Sequence, residues 1–368
     1  MKVGLVTVHN ANNYGAILQA YALREILARF GEVKIINYKN RHISRDLDLV
    51  RFKPTLHGLL GAGKDVFRLL PRFRGINKFK SFIVNNMNVT TVLSRKQLES
   101  GLHGDFDCYV AGSDQIWNPS CIGANGILNP VYFLDFAPEG SKKISYASSI
   151  GGYKLSYEDK KKIKEYLKDF ETISVREKDT KLLLQGVLNR QVHHVLDPTL
   201  LLSKGEWMAS LGIQDYIGSK EKYVLLYTVP KAPLIRDAVK IISKQMGLKV
   251  IAIDQGLSAG ARVDQHIRDA GPLEYLELFS CASFVVTDSF HGVCFSLNFG
   301  KPFVAVSPGI HSNRIDSLLS LVGLENRLVR TKTELDCINI TADFEGANEI
   351  LARARKESIE VLSNALHS

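Results

Sequence analysis

One histidine stands where a chain can put it to work. In "TDSFHGVCFSLNFGKPFVAV", Thr287 to Val306, His291 falls between an apolar β-branched run and a short apolar helical pattern. Asp288 and Ser289 are helix-capping types, Gly292 opens the helix, Gly300 closes it, and Lys301-Pro302 turns into the next strand. A helix start exposes N–H groups that favour anions. An imidazole among them donates to a phosphate oxygen or passes a proton near neutral pH. A lone histidine is more often a core residue. This one combines a strand end, a helix start and small neighbours, so a functional His291 is expected.

Other strand-like runs end in polar residues too. "FDCYVAG" leads into "SDQIWNP", where Asp114 and Gln115 stand beside Trp117. An indole face with carboxylate and amide neighbours grips a sugar ring; an Asx turn over a core tryptophan gives the same letters. "TISV" ends at Arg176. A buried strand-end arginine needs an anionic partner, either Glu177 or Asp179 or a ligand carboxylate or phosphate held bidentately. "KVGLVTV" runs into "HNANNYG", a donor-rich turn with Asn12, Asn13 and Tyr14, suited to an anion or sugar hydroxyl or simply to capping the next helix. "FVAVS" is followed by His311 and Arg314, two cationic donors before a helix. Asp197-Pro198 reads as a rigid turn. His193 and His194 alternate faces of a strand, cannot ligate one metal together, and read as structural.

The elements that must position these residues alternate between strand and helix. "KVGLVTV" and "VKIINY" flank a helical run in which Ala16, Ala20, Leu23, Leu27 and Phe30 share a face and Gly31 is the expected cap. That is a βαβ unit, hence parallel strands. Strands follow at "FDCYVAG", "ISYAS", "TISVR" and "QVHHVL", and again at "YVLLYTV", "LKVIAI", "SFVVTD" and "FVAVS". The expectation is an α/β chain of two Rossmann-like, doubly wound domains: residues 1–205, with a basic helical insertion at about 41–100, and residues 220–335. The polar stretch at 203–222 reads as the linker, and 342–368 as a long helix crossing back to the first domain. Two such units make a cleft, with ligands outside the carboxyl ends of the strands.

Composition narrows the classes. The 368 residues are 45% hydrophobic and 23% charged, ordinary for a globular protein. No apolar run suggests a membrane span, and "MKVGLVTVHN" is too short for a signal peptide, so the expected location is the cytoplasm. Five scattered cysteines without a CxxC indicate neither a disulfide framework nor zinc, and no metal site is expected. The net charge of +9 is uneven: Arg41 to Lys80 holds ten Lys/Arg against three Asp/Glu. That segment is a solvated basic hairpin, or it meets an anionic substrate or the inner face of an anionic membrane. Nucleic acid is not expected, because no recognition motif accompanies the charge. Gly58 to Lys64, "GLLGAGK", imitates a P-loop, but Asp65 stands where Ser or Thr should ligate magnesium, and no buried strand precedes it.

"NNYGA", "AGSDQIWNP", "ISYASSIG", "SVRE", "VLDPTLLL" and "VTDSFHGVCFSLNFGKPFVAV" appear in the order seen in the polysaccharide pyruvyl transferase family, which the chain resembles from about residue 3 to 330. The resemblance implies a GT-B-like fold. It also implies transfer of a pyruvyl group from phosphoenolpyruvate to a sugar of a cell-surface polysaccharide or its lipid-linked precursor, forming a ketal, with no cofactor. Carried over by motif, His291 and Asp114 would be catalytic. Arg176, Ser289, Gly292, Arg314, His311 and Lys301 would hold the donor, and Asn12, Asn13, Tyr14, Gln115 and Trp117 the glycan acceptor. The chain departs from the family at Ser289, where many members have arginine. A nucleotide-sugar glycosyltransferase and a non-catalytic glycan-binding protein are the alternatives.

Overall fold

The computed structural model describes residues 1–49, 69–123, 126–213, 221–309, 312–341 and 344–368. The chain forms two compact units. Met1–Asp48, Lys80–Leu201 and Ala354–Ser368 make the first; Leu49–Phe79 and Leu202–Arg353 make the second.

In the first unit β1 (Lys2–Val6), β2 (Glu32–Ile35), β3 (Cys108–Ala111) and β4 (Lys142–Ser145) lie parallel in the order β2-β1-β3-β4. β5 (Ser174–Val175) pairs in parallel with β6 (His193–His194), and single bridges from Ile144 to Thr172 and from Ser148 to Val175 continue the direction of β4. The helix Tyr14–Leu27 buries Ala16, Ala20, Leu23 and Leu27, as the spacing predicts, and the Asn13 side chain accepts from the Ala16 N–H to cap it. Gly31 does not end it. The cap is Ala28, and Gly31 is required for space: a Cβ there would lie 2.1 Å from the Met1 carbonyl oxygen.

In the second unit β7 (Tyr223–Tyr227), β8 (Lys249–Ile253), β9 (Gln265–Ile267), β10 (Phe284–Thr287), β11 (Phe303–Val306) and β12 (Leu328–Val329) form one parallel sheet, ordered β12-β11-β10-β7-β8-β9. The runs "VLL", "VV" and "VAV" fill its buried middle, as parallel strands covered on both faces require. β9 and β12 escape the sequence pattern because they are three and two residues long and carry little apolar signal. The stretch read as a linker is instead partly helical. Lys204–Leu211 opens with a Ser203/Glu206 capping box and buries Trp207 against Phe295, ring centroids 5.5 Å apart. Within the basic insertion, Arg41–Ser44, Leu69–Asn86 and Arg95–Glu99 are helices, while the P-loop-like stretch lies outside the described residues. Of the long helix Glu345–His367, the part from Ala354 onward belongs to the first unit, where Ser358 Oγ receives the Leu196 N–H at 3.0 Å.

Each strand order reverses once. The first unit's reversal lies between β1 and β3, the second's between β7 and β10. In open α/β sheets the crevice outside the carboxyl ends at such a reversal takes the ligand. Asp114 follows β3, and His291 follows β10.

Candidate functional site

In the second unit, β10 ends at Thr287 and the helix Phe290–Asn298 begins three residues later, with Ser289 at its N-cap. The turn is held from behind. Thr287 Oγ1 donates to the Tyr227 carbonyl at 2.7 Å and accepts from the Ser289 N–H at 3.1 Å. Gly292 is not the helix opener but its third residue. A Cβ there would meet Thr287 Oγ1 at 2.1 Å, so glycine lets the helix press against the strand end. Asp288 does not cap the helix. Its carboxylate accepts from Thr228 Oγ1 at 2.6 Å and from the Val229 and Ala232 N–H groups, both at 2.8 Å, which ties β10 to the loop leaving β7. The Ser289 side chain makes no cap bond either; its hydroxyl bonds the buried Tyr227 hydroxyl. Burial pushes the Tyr227 phenol well above its usual range, so it stays protonated.

The N-cap side chain is turned elsewhere, and a helix start of this kind favours anions. His291 sits in the first turn, buried, its ring edge-on to Phe290 at 5.2 Å between centroids. The Arg314 guanidinium lies 5.3 Å from the Phe290 ring centroid on the same turn. A histidine, an arginine and a helix start thus gather at the switch point. Lys301 does not join them. It follows Gly300 at the far end of the nine-residue helix and leads into the amino end of β11, the opposite edge of the sheet from His291. At 1.5 Å per residue the helix puts roughly 13 Å between them. His311 lies outside the described residues.

In the first unit four of the sequence motifs converge on one buried cation. Arg176 donates to Asp197 at 2.5 Å and to Glu177 at 3.3 Å, and lies 3.6 Å from Asp114. Burial alone would lower its pKa; Asp197, Glu177 and Asp114 outweigh that and raise it, so the guanidinium is permanently charged. The two inner carboxylates are further satisfied. Glu177 accepts from Ser149 Oγ and Thr180 Oγ1, and Asp197 from the Thr199 N–H and hydroxyl. The buried partners of Arg176 are therefore Glu177, as one of the expected alternatives had it, and Asp197, which was not expected; Asp179 is not among them. Three carboxylates around one guanidinium do not attract a fourth negative group, which removes Arg176 from donor binding.

Asp114 is the member of this cluster that reaches solvent: its side chain is 18% exposed, against 2% for Arg176 and 0% for Asp197. Its backbone φ of +74° is unusual for a residue with a Cβ and marks a constrained position. Gln115 is half-buried, its Oε1 accepting from Asn118 Nδ2 at 2.8 Å. Trp117 is no sugar platform. It is fully buried, stacked on Phe133 at 5.4 Å and 7°, with its indole N–H on the Tyr132 carbonyl. Tyr14 is likewise buried, Asn13 is spent as the helix cap, and Asn12 is half-buried on the turn before it. Sequence reasoning passes over His9, whose Nδ1 lies 3.0 Å from the Thr7 carbonyl and Nε2 3.1 Å from Asn37 Oδ1. Burial lowers its pKa and holds it neutral. It also passes over the Thr228–Asp288 bond, which no local pattern announces. Among the described residues, no group of three or more His, Cys, Asp or Glu is placed to hold a metal ion. No described helix is long and apolar enough to cross a membrane.

The sequence profile described as polysaccharide pyruvyl transferase matches residues 13–309. No curated protein sequence matches the chain. Among solved structures, the UDP-GlcNAc 2-epimerase of Methanocaldococcus jannaschii is similar with a TM-score of 0.54 at 12% identity, covering 96% of this chain and 99% of that one. The MnaA protein of S. aureus, solved with UDP, has a TM-score of 0.53 at 10% identity, covering 100% and 97%. An alpha-glucosyltransferase solved with UDP and a 13-mer DNA has a TM-score of 0.50 at 11% identity, covering 98% and 95%. At these identities the likeness concerns the fold alone, which is GT-B-like.

Proposed function

The chain belongs to the polysaccharide pyruvyl transferase family, an enzyme family, and from that premise we propose that it transfers the pyruvyl group of phosphoenolpyruvate to two hydroxyls of one sugar in a polysaccharide precursor. In the ketal product both sugar oxygens sit on the former C2 of the donor. The bond from C2 to the phosphate oxygen must therefore break. One hydroxyl proton ends on the methylene carbon, making the methyl group, and the other leaves with the phosphate. The reaction asks for donors to a phosphate and a carboxylate, an acid for the methylene, and a base for the sugar hydroxyl.

One observation carries the reading: His291 stands in the first turn of a helix whose start faces the switch point of the second sheet, and Arg314 packs over Phe290 of that same turn. The helix start and the guanidinium suit the donor's phosphate and carboxylate, and the imidazole suits the proton. Arg314 supplies the positive charge that the family's arginine brings at position 289. Asp114, the solvent-reaching carboxylate at the first sheet's switch point, is the proposed base for the acceptor. Arg176, Glu177 and Asp197 hold it as positioning residues.

Incubation with phosphoenolpyruvate and a panel of glycans is expected to release phosphate, and His291→Ala is expected to abolish release with a melting temperature close to that of wild type. A melting temperature many degrees lower would return His291 to the core. No phosphate release with any acceptor, together with no calorimetric binding of phosphoenolpyruvate, would remove this donor from consideration.

A further inference from the structure

The side-chain amide of Gln115 is fixed in one sense. It belongs to the turn that leaves the carboxyl end of β3, where Asp114 stands. Asn118 sets the sense. Asn118 Oδ1 accepts from the Ser120 N–H at 3.0 Å, so its Nδ2 is the donor. The Gln115 atom 2.8 Å from that Nδ2 must then be the carbonyl oxygen. The Cys121 thiol approaches the same oxygen at 3.5 Å. Gly151 closes the cage: a Cβ there would lie 2.1 Å from Gln115 Oε1, and its φ of +57° suits glycine. Gly151 is held in turn by Ser149 Oγ, which accepts its N–H at 2.9 Å and donates to Glu177. The cluster around Arg176 that positions Asp114 therefore positions Gln115 as well.

The other end of the amide is open. Gln115 Nε2 bonds nothing among the described residues, yet it is not one of the buried, unsatisfied atoms, so its N–H groups face solvent. A carboxylate that accepts and an amide end that only donates thus stand on consecutive residues at the first sheet's switch point. Ketal formation changes a sugar oxygen in the matching way. A hydroxyl both donates and accepts; once its proton is gone and the ketal has formed, the oxygen only accepts. We propose that Gln115 is a specificity residue for the acceptor, whose locked amide donates to a ketal-forming sugar oxygen and binds it better once the proton is lost. The inference rests on the ketal-forming reading above, with Asp114 as the base.

The test compares ligands that can donate with ligands that cannot. Methyl galactoside, glucoside and mannoside keep their hydroxyls. Their 4,6-O-ethylidene acetals, and the 3,4-O-isopropylidene acetal of the galactoside, carry acetal oxygens that only accept. Each is titrated by NMR against the full chain. Wild type is expected to bind at least one acetal more tightly than its parent glycoside. Asn118→Asp keeps the bond to the Ser120 N–H but replaces the amide donor by an acceptor oxygen, which turns the Gln115 amide over and presents its carbonyl to the ligand. That variant is expected to weaken the acetal about tenfold and the parent much less, because a hydroxyl can donate to the carbonyl instead. Asn118→Ser, which keeps the cap and forces no turn-over, should lose less. Gln115→Met lacks the donor altogether and should lose the acetal about as far as Asn118→Asp, which covers the case of an Asn118→Asp chain that does not fold. The proposal is overturned if no acetal binds wild type better than its parent, if Asn118→Asp weakens acetal and parent equally, or if Gln115→Met binds the acetals like wild type. Phosphate release separates the failures. Release by wild type alongside any of those three results sinks this inference alone; no release with any acceptor sinks the transferase reading and this inference with it.

Discussion

Replacing Arg176 with methionine separates two roles that the sequence leaves equivalent. If Arg176 held the donor, Arg176→Met would raise the KM for phosphoenolpyruvate and leave the fold alone. The geometry gives the opposite expectation. The methionine would keep most of the packing volume but strand Asp197 and Glu177, both buried, without their cation. Breaking a buried ion pair by removing one partner costs about 3–5 kcal/mol. The carboxylates keep the Thr199, Ser149 and Thr180 donors, which argues for the lower half of that range. For a unit of this size each kcal/mol lowers the melting temperature by roughly 2–4 °C, so a fall of about 6 °C or more is expected near neutral pH. Arg176→Met with Asp197→Asn should recover part of the loss, since an asparagine amide oxygen can still accept from Thr199 while no charge is left unpaired at 197. Differential scanning calorimetry near neutral pH, with steady-state kinetics on the same samples, reads both outcomes. An Arg176→Met protein that melts with the wild type, while its KM for phosphoenolpyruvate rises at unchanged kcat, would refute the reasoning and return the arginine to the donor.

Two further outcomes follow from the same coordinates. Gly292→Ala places a carbon 2.1 Å from Thr287 Oγ1, and the gain in helix propensity, ~1 kcal/mol at most, is smaller than the cost of moving a buried threonine off two hydrogen bonds, about 2–4 kcal/mol; thermal denaturation should show a clear loss together with lower activity, and an unchanged melting temperature would mean the helix does not press on the strand end. His9, His193 and His194 all have pKa values lowered by burial from 6.5, so the unfolded chain binds more protons than the folded one below that pH and stability should fall as pH drops through about 6.5; a denaturant midpoint that rises from pH 7 to pH 5.5, or a His9→Gln variant with the full wild-type slope, would contradict this.

What the sequence discloses and what it hides divide along a physical line. Strands with long buried runs, such as "VLL" in β7 and "FVVT" in β10, announce themselves because a covered parallel strand is apolar on both faces. The turn before His291 is legible as a turn too, although Asp288 and Ser289 make no capping bond there and Gly292 serves close packing on Thr287. β9 and β12 are missed because "QHI" and the two-residue "LV" between charged neighbours carry little apolar signal. Trp117 and Arg176 mislead for a related reason. Each stands at a strand end, where function often lies, but whether an indole meets a sugar or Phe133, and whether a guanidinium meets a phosphate or Asp197, depends on partners 16 and 21 residues away. The capping box of Ser203 and Glu206 is legible in the sequence, and it outweighs the polar composition that makes the stretch look like a linker.

Ser289 shows the same division at the site itself. Read as a position, it lacks the arginine that many family members carry. Read as a place, it needs no charge of its own. Its hydroxyl is engaged with Tyr227, its N–H with Thr287, and both bonds fix the turn that starts the helix. A cation inserted at 289 would have to give up the bond to Tyr227. Arg314 comes from the next helix, Asn313–Leu321, and reaches the same turn over the face of Phe290. Recognition of an anion depends on where positive charge lies relative to the helix start, and a cation–π contact helps to fix a guanidinium in space. On the proposed reading, the departure at 289 moves the source of the charge along the chain, to an arginine packed on the turn that carries His291.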